Sequence, residues 1–447
     1  MADLYVSTTG NDSNEGSIFN PWLTWDKAFH TADVGDTVYF RGGVYSQAIN
    51  TDGAGIRYTS SYGEGNSGTL GNEIIYTNYP GEIPILDCSN VVAVNYDYHC
   101  AIWIQNIDYI KIQGLHIRNV LEIDSNTICE ALVITTRCEN IILDRMVIYN
   151  IGGVGFRISQ SHNITLLNCD AYNCCDAIHF PQPGNYGSGF GISSETKYPD
   201  YVLLDGCRAW ACSDQGFGNS SEGITEMNKC WSFNNIGLYT GEGHGFKLGW
   251  MYHLEDAPFD HLTRIVTNCI AAYNTGTGFE TNDTSHPGTG YDFFNNLAYH
   301  NGYGGFPALG MGFRILNPSD NDLLRVLRNN IAYDNEYYDL WLADGSDYTH
   351  SNNSWDLAIT VNDSDFVSLD YTQLYKVRKS DGSLPDISFG KLRPGTDCRN
   401  AGINVSLALD GRGRPWNNPP SIGAFEYWEG DSITTVPRPG IHKYSII

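Results

Sequence analysis

The stretch from Gly206 to Trp250 carries the densest set of residues that could do chemistry. Within it, Gly241-Glu242-Gly243-His244-Gly245-Phe246-Lys247-Leu248-Gly249-Trp250 sets a single lysine among glycines. Strand alternation sends Phe246 and Leu248 inward and Lys247 outward, and Gly243, Gly245 and Gly249 let a polymer approach the backbone closely. An outward lysine in such a place can act as a general base. At an ordinary pKa of about 10.4, only about one molecule in a few thousand is neutral at pH 7, so desolvation or neighbouring positive charge must tune it. Asp214 with Glu280 or Glu242 offers a second chemistry, because paired carboxylates can hydrolyse a glycoside, with their separation setting the stereochemical outcome. His244, His253 and Arg314 are candidate cations for an acidic ligand. His244 between glycines equally suits a turn cap, and Arg314 a surface ion pair with aspartates.

Such side chains need strands to hold them, and the chain supplies strands in a repeating unit. Ile164-Thr165-Leu166-Leu167-Asn168-Cys169, Tyr201-Val202-Leu203-Leu204-Asp205-Gly206-Cys207 and Arg264-Ile265-Val266-Thr267-Asn268-Cys269 lie over one another, and Phe294 to Asn301 and Arg328 to Asn335 continue the alignment. The shared Cys or Asn column falls at 169, 207, 230, 269, 296 and 330, a spacing of 23 to 39 residues. That variation is too wide for propeller blades and natural for stacked coils whose loops differ in length. An all-β parallel β-helix is therefore expected over 75–349, with ladders of like side chains repeating at about 4.8 Å. Residues 1–74 read as an N-terminal cap and first strands, with a short helix inside 21–31 covering the open end. Residues 350–447 read as a C-terminal extension packed back on the coils, with a tail after Gly430. Cys169, Cys207, Cys230 and Cys269 read as a reduced core ladder with no structural zinc, because no CxxC pair has a matching partner pair.

Composition removes several function classes. A formal net charge of -25 repels a phosphate backbone, so no nucleic-acid partner is expected, although a local basic patch can still reverse the field in one groove. No apolar run of 18 or more residues occurs, so no membrane span is expected. The 29 Tyr and 10 Trp supply faces that suit sugar rings. The start, MADLYVSTTG, lacks a basic or apolar signal-like region. The expectation is a secreted or cell-surface protein whose signal has been removed, or else a virion-associated one.

Three motifs in order resemble the family-nine polysaccharide lyases, the pectate-lyase-like right-handed β-helix enzymes. Gly206-Cys207-Arg208-Ala209-Trp210 followed by Asp214-Gln215-Gly216-Phe217-Gly218 is similar to that family's GCRAW-type strand and its Asp-Asp-Gly-Trp-Asp-like motif. Gly243 to Gly249 is similar to a GNGFKLGG-like motif. Gly278-Phe279-Glu280-Thr281-Asn282, followed by Tyr291 to Tyr299, resembles a Gly-Phe-Asp-x-Asn turn and an Asn-Asn-x-Ala-Tyr-like run. The likeness covers roughly residues 150 to 310. It implies β-elimination of an acidic, uronate-containing polysaccharide, with Lys247 as base and His244, His253, Glu280, Asn282 and Arg314 around the substrate. Such an elimination removes the C5 proton and needs the neighbouring carboxylate neutralised.

The sequence departs from the family at its calcium site. An upstream Asp-Gly-Phe is replaced by Ser188-Gly189-Phe190, and only Asp214 remains of the downstream carboxylates. Calcium affinity follows oxygen charge, so a weak, depleted metal site is expected at Asp214, with protein side chains such as His244, His253 and Arg314 neutralising the substrate instead. Two other readings stay open: a glycoside hydrolase on the same scaffold, or a virion or cell-surface carbohydrate-binding spike. A monomer is expected, or a trimer if virion-associated.

Overall fold

Short strands joined by tight asparagine turns wind into three parallel sheets. The computed structural model describes residues 1–50, 52–92, 98–193, 201–221, 223–249, 262–282, 290–305, 309–316, 324–343 and 348–429. One sheet holds twelve strands, from Asp3–Val6 to Tyr348–Ser351. The other two hold ten each, one from Gly43–Ser46 to Ile331–Tyr333 and one from Ala54–Thr59 to Tyr338–Leu342. Each strand bonds in parallel to its counterparts one coil before and one coil after. The architecture is the expected right-handed parallel β-helix. Strands before residue 75 join the same sheets, so no break in the fold falls there.

Local chemistry explains the winding. In the twelve-stranded sheet Ile141, Leu143, Ile164, Leu166, Val202 and Leu204 alternate inward and are fully buried. The turns that follow place Asn168, Asn268, Asn295 and Asn329 at φ of 54 to 59°. Asparagine tolerates this left-handed region better than other residues with a β-carbon. Next inward come the cysteines of the expected column, and all twelve cysteines are free. Along the helix the column changes chemistry. The Cys230 N–H donates to Cys269 Sγ at 3.4 Å, the Cys269 N–H to Asn296 Oδ1 at 2.9 Å and the Asn296 N–H to Asn330 Oδ1 at 3.0 Å. A second buried column makes the same change, from Cys212 to Asn235, Asn274 and Asn301.

The sheet that runs from Ala54–Thr59 to Tyr338–Leu342 has its own ladder. Phe156, Phe190, Phe217, Phe246, Phe279 and Phe313 stack face to face with centroids 4.7 to 4.8 Å apart. Glycine precedes each of these rings because the interior is narrow there. A β-carbon on Gly245 would come within 2.5 Å of the Gly278 carbonyl oxygen, and one on Gly278 within 2.8 Å of Gly312's.

A short N-terminal helix forms, shifted from the expected stretch. The helix spans Trp25–Thr31 and starts four residues into the expected stretch. Trp22 instead bridges Val6, while the Thr24 side chain caps the helix by accepting from the Lys27 N–H at 3.1 Å. Trp25, Ala28 and Phe29 are buried, with Phe29 stacked on Tyr76 at 4.3 Å. At the other end, Phe366, Leu374, Ile387, Phe389 and Phe425 bury against Trp231, Phe233, Leu297 and Tyr299. Buried Asp170 fastens this extension, taking Arg208 Nη2 at 2.7 Å and Arg378 Nη2 at 2.5 Å. The tail after Gly430 lies outside the described residues.

The asparagine ladder gives a stability test. Replacing Asn296 with leucine keeps the branched outline of the side chain but strands the buried Cys269 N–H, the Val266 carbonyl and part of Asn330. Each unpaired buried group costs about 1–3 kcal/mol, so Asn296→Leu is expected to lower the urea midpoint clearly.

Candidate active site

The residue after each stacked phenylalanine points out of the coil, and stacking turns these residues into one column. Register pairs Arg157 with Gly191, Gly191 with Gly218, Gly218 with Lys247, Lys247 with Glu280, Glu280 with Arg314 and Arg314 with Trp341. Lys247 is thus outward, as alternation requires. It opens into a cleft of about 350 Å³ that is also lined by Arg157, Tyr186, Gln215 and Asn282.

Carboxylates surround the ammonium. Lys247 Nζ donates to Glu242 Oε2 at 2.6 Å and lies 3.9 Å from Asp214 Oδ1. Glu242 Oε2 also takes the His244 Nε2–H at 3.0 Å. The opposite ring nitrogen, Nδ1, accepts the Thr277 N–H at 2.8 Å, and a backbone N–H can only donate. His244 therefore carries its proton on Nε2 and is neutral. Glu280 Oε2 lies 3.2 Å from that same nitrogen, and Glu280 Oε1 accepts from Arg314 Nη1 at 2.6 Å. Arg314, Glu280, His244, Glu242, Lys247 and Asp214 form one continuous chain.

The electrostatics follow from this chain. Burial works to lower the Lys247 pKa, but Asp214 and Glu242 outweigh it and hold the value above that of a free lysine. Burial works to raise Glu242, yet His244 and Lys247 hold its carboxyl below the usual range. Asp214 is raised, because its burial exceeds the help from the Lys247 charge. Lys247 is desolvated as a base should be, with only 15% of its side chain exposed. The companions expected to be positive are negative instead, so the free protein keeps Lys247 as an ammonium ion.

The sequence-derived residues distribute unevenly. Lys247 and Asn282 line the cleft, Asn282 in a left-handed turn at φ 50°. His244 is 0% exposed and cannot touch a substrate. This corrects its reading as a substrate cation: its ring is enclosed by Glu242, Glu280 and the Thr277 backbone, and it positions Glu242. Glu280 is likewise buried and bonded within the chain, so it too is corrected to a positioning role. Arg314 is partly exposed but committed to Glu280, with Trp341 5.7 Å away. His253 lies outside the described residues. Glu242, expected only as a possible hydrolytic carboxylate, is the ion-pair partner of the lysine, and Arg157 in the same cleft was missed. The signal for Arg157 is the recurring Gly-Phe-x triplet at 155–157, 189–191, 216–218, 245–247, 278–280 and 312–314.

Comparison with known proteins fits this geometry. The model described as the Pel9A-like, right-handed β-helix region matches residues 4–353. The chain belongs to this Pel9A-like right-handed β-helix family. A second model, described as rhamnogalacturonan lyase-like, C-terminal, matches residues 345–411 of this family member. Pectate lyase L of Dickeya dadantii (strain 3937) is 27% identical over 440 residues, covering 94% of this chain and 90% of that protein. Pectate lyase PEL9 of Emericella nidulans is 27% identical over 420 residues, covering 87% and 92%. Among solved structures, pectate lyase Pel9A shares the fold with a TM-score of 0.72 at 22% identity, covering 95% of this chain and 96% of that one. A rhamnogalacturonan lyase does so at 0.71 and 24%, covering 88% and 97%.

The calcium site that the resemblance implies does not fit the donors present. Ser188 Oγ accepts from Gln215 Nε2 at 2.8 Å, and Asp214 faces the Lys247 ammonium while accepting the Glu242 N–H at 3.3 Å. Calcium takes about six to eight oxygens and gains affinity with their charge. One carboxylate already matched by a lysine supplies little of that. Among the described residues, no group of three or more His, Cys, Asp or Glu side chains is placed to hold a metal.

The chain of contacts predicts a change in pH response. Glu242→Gln removes one of the three carboxylates, Asp214, Glu242 and Glu280, that raise Lys247, so its pKa falls. Any activity that needs neutral Lys247 then begins its alkaline rise at lower pH than in the wild type, which a pH–rate profile reads directly.

Proposed function

We propose that this polysaccharide lyase cleaves a uronate-containing polysaccharide by β-elimination, with Lys247 Nζ as the base. The observation that carries the reading is the placement of Lys247. It is the outward residue of the phenylalanine ladder, facing an open cleft beside two glycines, Gly191 and Gly218. Relatives named pectate lyase, similar over nine-tenths of the chain, support an acidic polysaccharide as the substrate class.

In the proposed step the Lys247 Nζ lone pair takes the proton from C5 of a uronate. The C5–H electron pair becomes the C4–C5 double bond, and the C4–O bond breaks. The leaving oxygen takes a proton from water in the open cleft. Glu242 and Asp214 hold Nζ in place and stabilise the ammonium that forms, which favours proton capture in the transition state. The same carboxylates limit the neutral fraction of Lys247 before the reaction. The pH of the medium therefore governs the rate.

Two measurements test this. Formation of unsaturated uronate, followed by ultraviolet absorbance on polygalacturonate and rhamnogalacturonan, is expected to rise about tenfold per pH unit below the Lys247 pKa. A rate that levels off near pH 6 would instead assign a carboxylate base. Lys247→Ala is expected to lose about 10²–10⁴-fold in kcat while circular dichroism at the assay temperature still shows the folded β-helix. The donor set at Asp214 adds a further expectation: a calcium chelator leaves the wild-type rate within about twofold. Loss of activity that added calcium restores would overturn that part of the reading.

A further inference from the structure

Three coils separate Arg157 from Lys247 in the outward column, and the two coils between them carry only Gly191 and Gly218 at that position. At about 4.8 Å per coil, three steps set the backbones of the two cations about 14 Å apart, with a glycine floor between them. That length accommodates a sugar unit with its linkages. The neighbouring side chains fold over this floor. A β-carbon on Gly191 would meet Arg157 Nη1 at 3.6 Å, and one on Gly218 would meet Gln215 Nε2 at 2.5 Å. The Arg157 guanidinium therefore leans along the cleft towards Lys247.

Arg157 is also chemically available. Its ionic neighbour is Glu130 Oε1 at 3.8 Å, beyond hydrogen-bonding distance, and about a third of its side chain is exposed, 36%. Arg314, the arginine on the other side of Lys247, is bonded to Glu280 at 2.6 Å. Among the described residues, Arg157 and Lys247 are the Arg and Lys side chains lining the cleft, in a protein whose net charge is -25. A guanidinium with free N–H donors, on a rigid strand, is the group best shaped to take a carboxylate in two parallel hydrogen bonds.

We infer that Arg157 is a specificity-determining residue that binds the carboxylate of a sugar lying over Gly191 and Gly218, next to the unit that reacts at Lys247. This rests on the lyase reading above and deepens it, because it requires acidic groups on the polymer beyond the one at the reacting carbon. Arg157 acts in binding, and its removal weakens the complex without touching the base.

The test is steady-state kinetics on polygalacturonate and on rhamnogalacturonan at low and high salt. Arg157→Gln is expected to raise KM about tenfold, leave kcat within about twofold and flatten the salt dependence of kcat/KM, because one screened contact is gone. Arg157→Lys, which keeps the charge without the fork, is expected to fall between the two. Thermal melts of both variants check that loss of the Glu130 neighbour has not unfolded the coil. Equal KM values for wild type and Arg157→Gln, on a polymer that the wild type cleaves, overturn the inference and leave the lyase reading intact. A parallel fall of kcat in both variants overturns it too, by assigning Arg157 to the chemical step. If the wild type cleaves neither polymer, the uronate reading itself falls and takes this inference with it.

Discussion

Stacking of identical coils at one strand spacing is the constraint on which the rest of this protein depends. The phenylalanine ladder shows it most directly: six rings, each 4.7 to 4.8 Å from the next, fix the register of the sheet beneath the cleft. A slip of one residue would turn every ring out and every functional side chain in. The glycine before each ring leaves no room for such a slip, since a β-carbon there would strike the next coil's backbone or, at Gly216, the Ser232 side chain. Packing and chemistry are thus two faces of one strand. The inner face supplies burial, and the outer face inherits its geometry without contributing to it.

That division lets the outer column hold charges that a less rigid scaffold would not. Arg314, Glu280, His244, Glu242, Lys247 and Asp214 place three carboxylates and two cations around a neutral imidazole. A half-satisfied buried network of this kind is costlier than an apolar core. Here nearly every charged group meets an opposite charge or a fixed backbone donor. The Thr277 N–H has the most leverage, because it occupies His244 Nδ1 and so directs the only ring proton towards the carboxylates. A neutral His244 leaves Glu242 free to hold Lys247. A doubly protonated ring would lose the Thr277 bond and compete for the same oxygen.

A net charge of -25 repels polyanions at long range, but at physiological salt the Debye length is about 8 Å, so distant negative charge is largely screened. What each cation in the cleft can offer is then set by its near neighbours. Lys247 is matched by Glu242 and Asp214, while Arg157 has Glu130 no closer than 3.8 Å.

The sequence by itself determined the repeat, the fold class and the outward direction of Lys247, because these depend on periodicity, which is local and additive along the chain. The column at 169, 207, 230, 269, 296 and 330 was legible for that reason, and so were the reduced cysteines within it. What only the tertiary structure decided is who meets whom between coils. Glu242, five residues from Lys247 in the chain, reaches it only through the curve of a turn, and Glu280 arrives from the next coil, 33 residues on from Lys247. Loop lengths vary from coil to coil, so sequence distance carries no record of these contacts. They set the proton on His244 and the charge on Lys247, which depend on distances of a few ångströms in a site largely shielded from water.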